Sequence, residues 1–195
     1  MIFVTLGTQD KPFNRLLESV QKEIDKGNIK TRVVVQAVCT KFKSDDMEIF
    51  DLIPMDDFEK LMNECDLLIT HGGVGSIISG LNKDKKVIAA ARLYEYGEHV
   101  NNHQQQIIEN FSKSGYIIAL DDFEKLDEAI KKSKKFKPNK YNITIPIELR
   151  IVNITLGFFF IANKIISTPE SPSYIVPSKS YKSNFINFTY KTLLL

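Results

Sequence analysis

The chain has 195 residues, 43% of them apolar and 26% charged, enough for one domain with a real core or a domain plus an appendage. Its 26 basic and 24 acidic residues leave a net charge of +2, which gives no general argument for nucleic-acid binding. Cys39 and Cys65 cannot build a disulfide framework, the opening MIFVTLGT reads as carrying no secretory signal, and no run reaches the roughly 18 apolar residues of a spanning helix.

Residues 2–6 (IFVTL) form a short apolar run ending at Gly7 and predict a buried strand. Phe13, Leu16, Leu17, Val20 and Ile24 then recur at helical spacing, with Pro12 near the start and Gly27 past the end. Residues 32–38 (RVVVQAV) predict a second strand, rich in β-branched side chains. Asp56 and Asp57 open a helix with Phe58, Leu61 and Met62 on its apolar face. Asp66 to Thr70 predict a third strand, HGGVGS (71–76) leads into a short helix through Leu81, and Lys86 to Ala91 predict another strand. Residues 99–113 read as a helix, 116–120 as a strand, and 122–134 as a final amphipathic helix capped by an aspartate. Both cysteines fall in or beside apolar runs and are expected to be buried thiols in a reducing compartment.

Strands that alternate with helices, and that are continuous apolar runs, indicate a parallel sheet covered on both faces. The expected fold is therefore a doubly wound α/β domain, whose ligands lie beyond the carboxyl ends of its strands. GTQ (7–9) and HGGVGS (71–76) both fall at such ends. Near residue 137 the composition changes. The stretch 131–140 carries six lysines, and five of the seven prolines lie beyond residue 137. The expected organisation is a domain over 1–137 and an irregular tail over 138–195. Within the tail, 151–166 is too short and too polar to span a bilayer. The lysine run before it reads either as a solvated helix end or as a contact for anionic lipid.

The HGGVGS loop admits two readings. One is a tight strand-to-helix turn. The other is a phosphate site, in which Gly72, Gly73 and Gly75 allow close backbone approach to a helix N-terminus and Ser76 adds a hydroxyl. No GK[ST] follows, so a Walker-type nucleotidase is unsupported, and the first strand lacks the dinucleotide fingerprint of epimerases and reductases. His99 and His103 are four apart and could share a helix face, a spacing compatible with a metal, but no third ligand is obviously placed. GEHVNNHQQQ (97–106) reads either as a solvated helix start or as a lining of amides and imidazoles for hydroxyls and phosphate oxygens.

Three ordered blocks, GTQDKPFNRLL, DLLITHGGVGSI and ARLYEYGEHVNNHQQQI, resemble glycosyltransferase family 28 over about residues 1–137. The likeness is to small subunits of bacterial exopolysaccharide and capsule synthesis. These in turn are similar to the catalytic subunit of the two-component N-acetylglucosaminyltransferase of the dolichol pathway. The resemblance implies a single Rossmann-like GT-B half that binds a UDP-sugar without a metal or other cofactor and takes part in inverting transfer to a lipid-linked acceptor. It implies that Gly72, Gly73, Gly75 and Ser76 hold the diphosphate, that Gly7 and Thr8 line its other side, and that His71 lies beside the phosphates. Glu98, Asn101, His103 and Gln104 would contact sugar and nucleotide, with His71 and Glu98 as the catalytic candidates. Gly73→Val is then expected to abolish UDP binding and leave the fold intact.

One half of a GT-B enzyme lacks the acceptor side, so the resemblance also implies a membrane-attached partner subunit. It places the chain in the cytoplasm, peripheral at the inner face of the membrane. The chain departs from the pattern at Ser79, where relatives often carry an acidic residue, at Ala91, where proline is expected, and at Gln9, where histidine is common. The Ser79 and Ala91 departures, together with the unusual tail, slightly favour the alternative of a non-catalytic binding or regulatory subunit.

Overall fold

The computed structural model describes residues 1–141. They form six parallel strands and five α-helices: β1 (Ile2–Thr5), α1 (Asn14–Asp25), β2 (Val33–Gln36), β3 (Glu48–Phe50), α2 (Met55–Glu64), β4 (Leu67–His71), α3 (Val74–Leu81), β5 (Lys86–Ala90), α4 (His103–Lys113), β6 (Ile118–Leu120) and α5 (Leu126–Lys135). The sheet order is β3-β2-β1-β4-β5-β6, the doubly wound arrangement expected from the alternation.

Every residue of β1, β2 and β4 is buried, which is why these strands are apolar without alternation. Successive side chains feed two cores. Ile2 and Val4 join Leu16, Leu17, Val20, Leu126 and Ile130 beneath α1 and α5. Phe3 and Leu68 join Met62, Ile77, Leu81 and Ile108 beneath α2, α3 and α4. β1 lies between β2 and β4, with Thr5 level with both Gln36 and Thr70. The chain winds outward in opposite directions from β1 and β4. The gap beyond their carboxyl ends is therefore the topological switch point.

Several expectations change. The edge strand β3 was not foreseen: it has three residues, two of them exposed, and so leaves little apolar pattern. α4 begins at His103 rather than at 99, because the Asn101 side chain accepts from the His103 N–H at 3.1 Å and ends the preceding loop. Asp122 does cap, accepting from Glu124 N–H at 3.0 Å, but it caps a 3-10 turn over Phe123–Lys125 that leads into α5.

Packing continues past residue 137: Asn139 N–H donates to Gly115 O at 3.0 Å, and the Tyr141 ring packs on Phe111 and Tyr116. The tail expected over 138–195 lies, beyond residue 141, outside the described residues. Cys65 is buried, and burial pushes its thiol up, but Cys39 is exposed in the loop after β2, against expectation.

Candidate functional site

Four loops meet at the carboxyl edge: those after β1, β2, β4 and β5. The glycine loop joins β4 to α3. No side chain caps α3, and its first hydrogen bond runs from Ile77 N–H to Gly73 O at 3.2 Å. The N–H groups of Val74, Gly75 and Ser76 thus have no partner along the helix and lie at its positive end.

The glycines of the site have different reasons for lacking a side chain. At Gly7 the backbone turns through φ +75°, and an added Cβ would penetrate the His71 ring. At Gly73 an added Cβ would meet the same ring, at 2.9 Å from Cε1 and closer to Nε2. His71 is therefore a wedge between the loop after β1 and the glycine loop. At Gly72 a Cβ would lie 2.8 Å from Gln104 Cβ. Only at Gly75, of the three loop glycines, is there nothing within 4 Å. Gly75 is exposed at the first turn of α3, where open space above the backbone is what an approaching anion requires.

The first two of these glycines also change the expected effect of Gly73→Val. Valine there collides with His71, so loss of ligand binding in that variant would report a broken loop.

His71 is 7% exposed, and burial, reinforced by the nearby Arg92 charge, lowers its pKa to about 4. It is neutral at physiological pH. A neutral imidazole can make one hydrogen bond to an anion, but with so low a pKa it is a weak general base.

Glu98 is engaged elsewhere. Its Oε1 accepts from Arg15 Nε at 2.8 Å, and its Oε2 accepts from Arg15 Nη2 at 2.6 Å and from Leu93 N–H at 3.0 Å. In this structure Glu98 holds the loop after β5 to α1. Gln104 is 5% exposed, and its Oε1 accepts from Gly72 N–H at 3.1 Å and Arg92 N–H at 3.0 Å. It bridges two loops.

Thr8, Asn101 and His103 are exposed at the rim, with His103 Nδ1 3.3 Å from Gln106 Oε1. His99 lies in the loop before α4, so it does not share a helix face with His103; its Nε2 is 3.0 Å from Gln9 Nε2. Among the described residues no group of three His, Cys, Asp or Glu side chains is gathered closely enough to hold a metal, and no helix is long and apolar enough to cross a membrane.

Sequence reasoning missed two features. Arg92 is 1% exposed and is among the largest fully buried side chains. The other is the apolar rim: Phe50, Leu52, Met55, Val74, Tyr94, Tyr96 and Val100, the large hydrophobic residues that stand exposed among those described, all lie at or beyond carboxyl strand ends. The only sequence signal for Arg92 was its place, directly after the apolar run KVIAAA.

A parallel doubly wound sheet with an uncapped, glycine-lined helix start at its switch point defines a Rossmann-like α/β domain. Residues 1–145 match the glycosyltransferase family 28 C-terminal domain, and the chain belongs to that family. It is 34% identical over 77 residues to the UDP-N-acetylglucosamine transferase subunit ALG13 of Candida albicans, covering 40% of this chain and 25% of that protein. It is 28% identical over 100 residues to the subunit of the same name from Debaryomyces hansenii, covering 51% of this chain and 44% of that protein. The matched stretches thus span less than half of these relatives' lengths.

Two solved structures share the fold. The solution structure of ALG13 has a TM-score of 0.50 at 20% identity, covering 77% of this chain and 93% of that one. The glycotransferase of kitacinnamycin has a TM-score of 0.50 at 17% identity, covering 68% of this chain and 34% of that one. These matches give the bacterial exopolysaccharide and capsule setting no support.

Proposed function

We propose that the chain is the donor-binding catalytic subunit of an inverting, metal-independent glycosyltransferase that moves a sugar from a UDP-sugar to a lipid-linked acceptor. The observation that carries this is the start of α3: partnerless N–H groups and the unobstructed Gly75 at the switch point of a family 28 domain. As the bond from sugar C1 to the diphosphate breaks, charge develops on the leaving phosphate oxygen. Donors fixed beforehand at a helix end stabilise that charge without reorganising. The UDP-sugar is a co-substrate, and no resident cofactor is assigned. The names of the relatives make UDP-N-acetylglucosamine the first donor to test.

Inverting transfer needs a base near the acceptor hydroxyl. Neither the neutral, buried His71 nor the doubly engaged Glu98 suits that role. The same reading assigns the base to a membrane-attached partner that holds the acceptor and covers the apolar rim, with this chain at the cytoplasmic face of the membrane.

The test is calorimetric titration with UDP and a panel of UDP-sugars, with and without a chelator, on the wild type and Gly75→Ala. Alanine at Gly75 meets no neighbour and favours the helix, so the fold holds or gains up to about 1 kcal/mol. UDP affinity should fall about tenfold, roughly 1.4 kcal/mol. Equal affinity in the two proteins refutes the anion site. Transfer assayed with the partner present then separates a catalytic subunit from the non-catalytic alternative, which the lack of a well-placed base keeps in play.

A further inference from the structure

Arg92 sits where the sheet's carboxyl edge meets four loops. Its Nη2 donates to Leu6 O at 2.7 Å, and its Nη1 to Lys11 O at 2.7 Å, Pro12 O at 3.3 Å and Glu98 O at 3.4 Å. Its guanidinium carbon lies 4.9 Å from the Phe13 ring centroid. Nε is buried without a hydrogen-bond partner. These acceptors are all main-chain carbonyls, because the one nearby carboxylate, Glu98, is held by Arg15.

Burying a charge without a directly bonded counter-ion is costly, and an apolar side chain of similar volume would fill the space. What the guanidinium adds is connection and charge. It joins residues on both sides of the Gly7–Thr8 turn to the loop after β5. Independently of the side chain, the main-chain N–H of Arg92 and the N–H of Gly72 share the Gln104 Oε1. The charged or titratable groups around it are Glu98 with its partner Arg15, Cys39 and His71, and His71 feels His99 as well.

We infer that Arg92 is a positioning residue: its buried guanidinium locks the loop after β1 to the loop after β5, which its main-chain N–H and Gln104 join in turn to the glycine loop, so that the three form one anion-binding mouth with a positive charge behind it. This rests on the diphosphate reading of the switch point. It acts through those loops and makes no contact with the donor. The guanidinium donates from two separated nitrogens in a fixed plane, and lysine, with its donors on a single nitrogen, does not reproduce that reach.

The test uses the full chain with Arg92→Lys, Arg92→Met and, as a milder cut, Gln104→Met, which severs the link to Gly72 and leaves the guanidinium in place. Folding is checked by near-ultraviolet circular dichroism, UDP affinity by calorimetry, and the His71 titration by NMR of the ring. Arg92→Met should lower UDP affinity about tenfold or more and raise the His71 midpoint by about half a unit or more, because a positive neighbour is lost. Arg92→Lys should keep the His71 midpoint near that of the wild type and still lose affinity. Gln104→Met should lose affinity with the midpoint unmoved. If Arg92→Met does not fold, Arg92→Lys decides.

Folded variants that keep wild-type UDP affinity overturn the inference, as does a His71 midpoint unmoved in folded Arg92→Met. A wild-type chain that does not bind UDP, while the His71 midpoint still shifts in Arg92→Met, overturns the donor reading and leaves the coupling between Arg92 and His71 standing.

Discussion

Two arginine–glutamate forks lie at opposite ends of the same sheet. Arg32 and Glu48, just before β2 and at the start of β3, pair through contacts of 2.6 and 2.7 Å. Arg15 and Glu98 pair at the carboxyl edge through contacts of 2.8 and 2.6 Å. The geometries are nearly equal and the surroundings are opposite. The side chains of Arg32 and Glu48 are 52% and 48% exposed, whereas those of Arg15 and Glu98 are 24% and 5% exposed. Arg15 is also sandwiched, its guanidinium carbon 4.0 Å from the Tyr96 ring centroid and 4.4 Å from that of Phe123. The amino edge closes with solvated charge. The carboxyl edge buries charge in order to fix loops that carry no regular hydrogen bonds of their own. The difference locates where the fold gives up stability for shape.

The largest effect should come from breaking the buried fork. Arg15→Met leaves Glu98 buried with only the Leu93 N–H as a bonded partner. Removing one member of a buried pair is expensive, and the partial exposure of Arg15 tempers the cost to about 2–3 kcal/mol. Urea unfolding should show that loss, and UDP affinity should fall with it, because the loop after β5 is released. A loss under about 1 kcal/mol would mean that the pair behaves as a surface ion pair despite its burial.

The second effect is pH dependence from His71. The unfolded chain takes up this proton near 6.5, the folded chain only near about 4. Between those values the unfolded state binds more protons, so stability rises with pH. The contribution is complete above about 6.5 and is lost as pH falls toward 4, by roughly 3 kcal/mol in all. Carboxylates also titrate in that window, so the informative quantity is the difference between the wild type and His71→Gln. The variant should be less stable at neutral pH and show a shallower slope between pH 6.5 and 4. Parallel slopes would show that His71 titrates normally in the folded chain, and so is not buried as a neutral wedge.

These effects belong to residues that differ greatly in how legible they are from sequence. The parallel sheet was readable because β1, β2 and β4 are buried on both faces and therefore apolar without alternation up to their polar carboxyl ends. β3 was not, because two of its three residues are exposed and no pattern forms over so short a span. The position of the site was readable too, since glycines directly after a strand mark a switch-point loop. The reasons for each glycine were not. Gly7 and Gly73 lie 66 positions apart in the chain, and their shared need to accommodate one imidazole ring exists only in three dimensions. Arg92 was opaque for the same reason: its acceptors are carbonyls at Leu6, Lys11, Pro12 and Glu98, and a carbonyl leaves no trace in the identity of a residue. Glu98 and Gln104 look in sequence like polar groups offered to a ligand. Only the fold shows that their oxygens already have partners.

The smallest effect is the control that gives the others meaning. Arg32→Met removes a fork as well formed as the one at Arg15, from a site where water replaces what is lost. The Arg32 neighbour holds the Glu48 carboxyl below its ordinary range, yet both groups stand in solvent, so the pair should contribute only about 0–1 kcal/mol. Urea unfolding of Arg32→Met should therefore lie close to the wild type and move closer still in high salt, where the wild-type pair is screened. UDP affinity should not change, because no residue of that edge approaches the switch point. Should Arg32→Met cost as much as Arg15→Met, fork geometry rather than burial would set the energy of both pairs. The carboxyl edge would then lose its claim to be the one place where this sheet spends charge on holding a site open.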